Sequence, residues 1–539
     1  MSHTASSLPK MRRQPPRPTT EEVQAAGSKS LETPPLGVLV FNRLAYGLRP
    51  GDLAAFDALG PDDDTRLATW IDQQVNPDIL DDSELISYIS GANFATINKS
   101  RAQLWTDHVV DNTERTRPRE EIERLTFLRA QFSRRQLQAV MVDFWHNHFN
   151  VDAGDFWAAP MWVHYDRDVI RQNAFGNFRD LLEAVAKSTA MLYYLDNYTS
   201  SNAGPNENFC RELFELHALG AENYLGIRQQ NTVPTDDDGK PIGYVDADVF
   251  EATRAFTGWT VANSSSIGNT GEFFYRDEWH DRFQKNVLGV FMPADQPPLA
   301  DGDQVLDILA EHPGTARYVC RKLCRRLTVD DPPQSLVDTA VAAWNTHLTA
   351  PDQLGQVVRA IALSPEFRLG WGEKAKRPFE VAAAALRATG STMSFAFDDG
   401  ESNSFINRYN DCGQELFRWP APNGYPDVRG AWQSNSPRAL MWRMVQWLID
   451  HDDSNGDHWA DVVGQTPGGV RSANAIVDFW VQRILGRALP ADTRQELVDF
   501  MGQGFNPDMD LPVDSDNDTA DRVRSLVGLI MMTPQFLWK

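Results

Sequence analysis

The segment from Pro205 to Gly220, PNENFCRELFELHALG, concentrates the side chains best suited to chemistry. A proline before it and a glycine after it are typical helix start and stop signals. At about 100° per residue, one face of the predicted helix is apolar and the opposite face is polar. The polar face collects Glu207, Asn208, Arg211, Glu212 and Glu215. These carboxylates, guanidinium and amide can form an ion-pair ladder, a metal site or an acid/base site, and the pattern leaves all three open.

The simplest interpretation of this polar face is a solvated one, because Glu and Arg four residues apart are ordinary helix stabilisers. Aromatic residues on both sides of the segment instead favour a deep position, and buried clusters of this composition are enriched at functional sites. In the functional hypothesis, Glu207 or Glu212 is an acid/base or a metal ligand. Arg211 then holds a substrate anion or orients a carboxylate, and Asn208 contacts the substrate.

A second polar stretch, residues 143–150 (DFWHNHFN), carries two histidines. On a helix, His146 and His148 diverge by about 200°, so at most one of the two rings joins any given site. His148 points towards the apolar face, where a histidine is more often a core residue than a ligand. The functional hypothesis makes His148 catalytic, with Trp145 and Asn147 contacting the substrate. Its metal-binding version groups His148 with Glu207 and His217 around a divalent cation.

A third group follows an aromatic-rich segment that begins at Trp259. His280 and Asp281 are adjacent there, with Lys285 four residues further on. A His-Asp pair can act as a general acid/base or as a metal ligand with its orienting carboxylate. We therefore count His280 and Asp281 as catalytic candidates, and Trp259 and Lys285 as substrate-binding candidates.

Other well-known chemistries have no signature in this sequence. It contains no GxSxG elbow, HExxH motif, P-loop or strand-associated GxGxxG. Its four cysteines show neither zinc-finger spacing nor the density of a disulfide framework. Serine hydrolase, zincin, NTPase and dinucleotide-binding functions are therefore disfavoured.

Composition limits the partners. The chain has 539 residues and a formal net charge of −23, which argues against nucleic acids and anionic membrane surfaces. No apolar run reaches the length of a membrane-spanning helix, so membrane insertion is not expected. Residues 1–34 are polar and rich in proline, which predicts a disordered tail. No export signal is visible in them, and on this evidence alone the chain is expected to be cytoplasmic.

Helical periodicity dominates the rest of the chain and predicts a mainly α, large multi-helix fold. The main predicted helices cover residues 36–47, 133–150, 178–196, 246–257, 314–327, 335–347, 353–362, 377–389, 437–449, 474–485, 493–502 and 519–532. Short β-favouring runs predict a small β-hairpin excursion around residues 258–289. Residues 420–427 (PAPNGYPD) cannot be helical, and their composition predicts a rigid wall over a cavity. We expect residues 35–539 to form a single large domain, with a subdivision near residue 297 as the alternative.

These segments together resemble a large bacterial family known as the domain of unknown function 1800 family. The matching pieces are residues 42–47 (NRLAYG), 144–151 (FWHNHFNV), 195–197 (LDN), 205–220, 254–259 (RAFTGW), 280–281 with Lys285 and 288–289, 413–414 and 420–426. The resemblance implies a mainly helical protein with no settled activity. It also implies a periplasmic or secreted location and a neighbouring protein that resembles phosphatases and sulfatases. The N-terminus departs from this pattern, because no export signal is visible there.

Two hypotheses about function follow. The first is an enzyme that hydrolyses or lyses a polar small-molecule or polymer substrate through carboxylate and histidine side chains, with or without a divalent metal ion. The second is a non-catalytic helical scaffold that binds an exported partner, with the charged motif acting as a buried ion-pair network. Redox chemistry at a His/Glu-bound iron is a third alternative that the sequence leaves open.

Overall fold

The computed structural model describes residues 32–452 and 456–539. The tail expected over residues 1–34 therefore lies almost entirely outside the described residues. Within them the protein is mainly α-helical, as the periodicity predicts.

The α-helices vary in length from single turns to four or more turns. They are Leu36–Arg43, Asp52–Asp57, Asp63–Gln74, Ser83–Gly91, Arg101–Trp105, Arg117–Phe132, Gln136–His148, Trp162–His164, Phe178–Ala186, Thr189–Tyr194, Asn208–Glu212, Asp246–Ala255, Ala300–Ala310, Pro313–Leu327, Gln334–Thr346, Gln353–Ala362, Pro378–Ala388, Gly400–Asn410, Asn435–Asp450, Ala473–Leu485, Ala491–Gly502, Asn517–Met531 and Pro534–Leu537. Three π-helical segments adjoin α-helices, at Thr106–Val110, Tyr165–Arg171 and Leu213–His217.

Within residues 32–452 and 456–539, the β-strands form two antiparallel hairpins. Strand Trp259–Val261 pairs with Phe273–Tyr275, which confirms the predicted excursion. Strand Lys285–Val287 pairs with Val290–Met292 in a second hairpin, which the sequence did not predict. Leu288 and Gly289 form its two-residue turn, both with positive φ. Leucine is uncommon at a turn position with positive φ, where asparagine is usual. The Leu-Gly turn therefore lacks the Asn-Gly signal that would have predicted the hairpin.

Most predicted helix boundaries agree with the structure to within two residues, because proline, glycine and small polar caps mark them. The prediction of one helix over residues 178–196 is wrong. That segment forms two helices, and the Ser188 hydroxyl caps the second by accepting a hydrogen bond from the Met191 amide at 3.3 Å. The apolar pattern continues across both helices, but the Ser188 cap ends the first helix and starts the second.

The core is one connected cluster of buried apolar side chains that reaches from Val38 to Leu537. It includes residues before and after position 297, such as Met292 and Val305. The four cysteines are buried in it as free thiols. Within the described residues, none of the helices has both the length and the apolar character needed to cross a bilayer.

Candidate functional site

A cavity of about 160 Å³ lies where three segments meet. The segments are helix Gln136–His148, helix Pro313–Leu327 and the proline-rich loop 419–427. Its lining residues are Phe144, Asn147, His148, Lys322, Arg325, Arg326, Arg377, Asn423, Tyr425, Pro426 and Asp427. We call this cavity the His148 pocket. It is unusual in this acidic protein, because four of its lining side chains are cationic.

The proline-rich loop forms one wall of the pocket, as its composition predicted, and two asparagines hold it there. The Asn147 amide donates to the Tyr425 carbonyl at 2.7 Å and accepts from the Tyr425 amide at 2.6 Å. The Asn150 amide donates to the carbonyls of Trp419 at 2.9 Å and Ala421 at 2.8 Å. Asn147, predicted to bind substrate, therefore lines the pocket and also anchors the loop.

His148 lies in the pocket wall with only 1% of its surface exposed. Its Nε2–H donates to the backbone carbonyl of His217 at 3.0 Å, while its Nδ1 has no hydrogen-bond partner in the structure. The carbonyl thus selects the tautomer whose Nδ1 carries a free lone pair. Burial, with the positive charge of Lys322 second, holds the His148 pKa well below its ordinary value. The ring is therefore neutral at pH 7 and its Nδ1 is an unoccupied acceptor.

Lys322 places its ammonium group 5.3 Å from the centre of the Tyr318 ring. No described carboxylate lies within 4 Å of this ammonium, and none of the described residues hydrogen-bonds to it. Burial lowers the Lys322 pKa to about 8; Asp427 opposes this shift and Arg325 adds to it. Arg325 likewise has no carboxylate partner among the described residues, although its Nε donates to the Asp330 carbonyl at 2.8 Å.

The remaining cations of the pocket are neutralised. Arg326 pairs with Glu380 at 2.5 Å and with Asp143 at 3.2 Å. Arg377 pairs with the same two carboxylates. The pocket carboxylate Asp427 pairs with Lys374, outside the lining, at 3.0 Å. Lys322 and Arg325 are thus the two pocket cations whose charge is uncompensated by the described residues.

The central helix, which continues from Asn208–Glu212 into the π-helical segment Leu213–His217, carries its polar residues at the protein surface, where they are exposed or partly exposed. Glu207 and Arg211 form a surface pair at 3.2 Å, with side chains 53% and 32% exposed, and Arg211 also reaches Asp246 at 3.4 Å. Asn208 is exposed. Glu212 is partly buried, and burial followed by Glu215 raises its pKa. The motif is therefore neither a buried ion-pair network nor part of the His148 pocket.

His217, at the end of the π-helical half of this helix, is fully buried. Neither ring nitrogen has a hydrogen-bond partner among the described residues, and burial lowers the His217 pKa to about 3. Its ring centre lies 6.4 Å from that of His148. Glu207 is exposed about 15 Å away along the helix, so the predicted metal trio is not brought together. Across the described residues, no three His, Cys, Asp or Glu side chains are placed to hold a metal ion.

The third predicted group lies in a separate ion-pair network. His280 contacts the Thr257 carbonyl through Nδ1 at 2.9 Å and Asp301 through Nε2 at 3.0 Å. Lys285 donates to Asp301 at 2.6 Å. Asp281 is held by the two forked nitrogens of Arg254 at 2.9 and 3.0 Å. The charged groups of this network pair with one another, and none of them lines the His148 pocket.

The two candidate tryptophans are core residues. The Trp145 indole N–H donates to the Ala174 carbonyl at 3.0 Å, inside the aromatic cluster of His148, Phe149 and Phe178. Trp259 is fully buried, with the Lys187 ammonium 5.0 Å from its ring centre. Neither tryptophan offers a stacking face to the pocket.

The family is decided by a match over almost the entire chain. A scan against protein-family models aligns residues 39–538 with the family described as "Protein of unknown function (DUF1800)". The chain belongs to the DUF1800 family. The resemblance drawn from the sequence motifs is confirmed. A search of curated proteins and a search of solved structures found no match.

Sequence reasoning missed the cationic wall of this DUF1800 protein. Lys322 and Arg326 stand one helical turn apart beside the apolar positions of helix Pro313–Leu327. The available signal was the position of these basic residues at the margin of the helix's apolar face. The same pattern arises when long basic side chains simply cover the edge of a core and line no pocket. Only the packing of this helix against His148 distinguishes the two cases.

Proposed function

We propose that this DUF1800 protein is an enzyme, a hydrolase or lyase, that uses His148 as a general base in the His148 pocket. The supporting observation is the buried, unpartnered Nδ1 of His148 in the wall of a polar cavity. Buried polar atoms almost always have hydrogen-bond partners, so an unpartnered ring nitrogen on a residue that lines a cavity favours a bound reactant nearby. A fixed tautomer with an unpartnered ring nitrogen suits a general base, and a nearby cation can stabilise the anion that proton abstraction produces.

In this proposal, His148 Nδ1 takes a proton from water or from the substrate. The His217 carbonyl holds the ring in place and accepts a hydrogen bond from the imidazolium that forms. The Lys322 ammonium stabilises negative charge that develops nearby.

The low basicity of His148 in the empty pocket is consistent with this role. Burial and the nearby Lys322 charge are the two largest causes that lower its pKa. A negatively charged substrate offsets the Lys322 charge, so its arrival raises the His148 pKa towards the working range of a general base. The base becomes effective when substrate is bound.

The exposed motif has a smaller part in this proposal than in the sequence hypothesis. Glu207 and Arg211 pair with each other on the surface, where such pairs are ordinary helix stabilisers. His280 and Asp281 are likewise occupied by Asp301 and Arg254. We assign these groups to the structure of the protein and the chemistry to the His148 pocket.

The test compares hydrolysis of p-nitrophenyl acetate, phosphate and sulfate by the wild-type protein and two variants. In His148→Gln, the side-chain amide can still donate to the His217 carbonyl but cannot act as a base. We expect kcat/KM to fall by about 10²-fold or more. Glu207→Gln, the matched removal of a surface charge, should retain wild-type turnover.

Two results would contradict the proposal. One is loss of activity in Glu207→Gln with activity retained in His148→Gln, which would return the chemistry to the central helix. The other is absence of wild-type turnover on all three esters, which would remove the hydrolase form of the proposal.

A further inference from the structure

The His148 pocket holds two positive charges that the described residues do not neutralise. Lys322 and Arg325 come from the same helix, and each lacks a carboxylate partner among the described residues within 4 Å. Arg325 lowers the pKa of Lys322, as two adjacent like charges do. By contrast, Arg326 and Arg377 share Asp143 and Glu380. An exposed surface lysine is satisfied by water, but a partly buried ammonium in a confined pocket favours a counter-ion.

We infer that the His148 pocket binds an oxyanion group of the substrate, a phosphate, sulfate or carboxylate, against Lys322 and Arg325. This deepens the proposed function, and it rests on that function for the identification of the anion as part of the substrate. Asn423 and Tyr425, on the proline-rich loop, also line the cavity and border the space for the anion.

The chemistry of the pocket favours an anion over a cation. Its free groups are two cations and a neutral imidazole. Its carboxylate, Asp427, is engaged by Lys374 at 3.0 Å, and although burial opposes ionisation, Lys374 and Arg377 keep the Asp427 pKa low. The oxygen ligands that a hard cation needs are therefore occupied.

The size of the pocket and the charge of the whole protein limit the anion to a single group. A cavity of about 160 Å³ accommodates one oxyanion with a small substituent, not the backbone of a polyanion. The net charge of −23 also repels extended polyanions from the protein surface. A small anionic metabolite, or one charged group of a larger neutral molecule, fits both constraints.

Anion binding should depend on pH through Lys322. The titratable and charged groups that face Lys322 from the surrounding elements are Tyr318, Arg325 and Arg326 on its own helix, His148 and His217, Arg377, and Tyr425 and Asp427 on the loop. Burial lowers the pKa of Lys322 to about 8, and burial also keeps the pKa of both histidines well below that value. Affinity should therefore fall as pH rises through about 8, because the ammonium loses its charge.

The test is calorimetric titration of the full chain with inorganic phosphate, sulfate and acetate, in chloride buffer at pH 7 and pH 9. We expect at least one of the three to bind, and more weakly at pH 9. Lys322→Met should reduce its affinity tenfold or more, and Lys322→Arg should keep most of it. Arg321→Met is the matched control, because Arg321 precedes Lys322 on the same helix but pairs outwards with Glu222 at 3.0 Å.

Folding should not confound the result, because Lys322→Met removes a partly buried charge and leaves none of the described carboxylates unpaired. Failure of all three anions to bind the wild-type protein, or equal binding by Lys322→Met, would overturn the inference. The two proposals fail separately. Anion binding without ester turnover leaves the anion site standing and removes the hydrolase, whereas His148-dependent turnover without anion binding does the reverse.

Discussion

At the scale of single residues, the two neighbouring histidines of the pocket wall are the most informative groups. One ring nitrogen of His148 donates a hydrogen bond to the His217 carbonyl, whereas the His217 ring has no hydrogen-bond partner in the part of the chain that the structure describes. A buried polar ring without partners costs stability, and such groups persist mainly where function requires them. The pair therefore links the candidate site to the acid stability of the protein.

We predict that His217→Phe makes stability less sensitive to acid. The His217 pKa is about 3 in the folded state, against about 6.5 in an unfolded chain. Between these values the unfolded state binds more protons, so the free energy of unfolding falls as pH drops from 6.5 towards 3. Replacing His217 should remove up to about 1.4 kcal/mol per pH unit of that slope.

The measurement is urea unfolding at a series of pH values between 7 and 4. The matched control is His347→Phe, because His347 is partly exposed at the end of helix Gln334–Thr346. Equal slopes for His217→Phe and the wild type would show that His217 is not the buried neutral group described here.

At the scale of elements, the proline-rich loop decides whether the pocket exists. Gly424 stands in it with φ of +68°, and a Cβ there would lie 2.1 Å from the backbone carbonyl oxygen of Asn147. Glycine is required for both reasons, because other residues disfavour this conformation and the carbonyl belongs to a rigid helix. The close approach is also what allows Asn147 to hold the backbone of Tyr425.

We therefore predict that Gly424→Ala detaches the loop from helix Gln136–His148. The unfolding free energy should fall by about 2 kcal/mol or more, and anion binding to the pocket should weaken. Gly430→Ala is the control, since a Cβ at Gly430 meets no atom within 4 Å. Thermal melting and limited proteolysis measure both variants. A Gly424→Ala protein as stable as the Gly430→Ala protein would contradict this role of the loop.

At the scale of the whole molecule, a buried ion network ties distant segments together behind the pocket. Glu380 accepts from Arg326, the backbone of Arg377 and Lys539, which come from different parts of the chain. Asp143, on the His148 helix, pairs with Arg326 and Arg377. The arginines are thereby fixed in the pocket wall while their charges are neutralised.

Removing Glu380 should destabilise the protein strongly, because Glu380→Gln leaves buried cations without their counter-ion. We expect a loss of about 3–5 kcal/mol in the free energy of unfolding. Glu207→Gln, which breaks the surface pair with Arg211, should change stability by about 0.5 kcal/mol or less. Denaturant unfolding distinguishes the two. A larger effect at Glu207 than at Glu380 would indicate that the motif, and not this network, is the ionic core.

Local sequence patterns were enough to predict the helical class, most helix boundaries, the first hairpin, the loop that walls the pocket and the family. Periodicity, caps and proline or glycine are local signals, and they act over a few residues. His148 was also recognisable as a candidate, although its partners were not. The π-helical turn at Leu213–His217 and the second hairpin escaped prediction, because neither has a distinct local composition.

Which polar groups share a site depends on how the helices pack against one another. The conspicuous Glu207–Glu215 face lies at the protein surface, away from the pocket lining. Lys322 and Arg325, inconspicuous in the sequence, line the pocket together with His148 from a separate helix. A helical pattern reports which residues share a face but not what that face packs against. The packing partner of each face is set by the burial of one connected core, whose residues come from nearly the whole described chain. The pattern of a single segment therefore cannot predict the pocket.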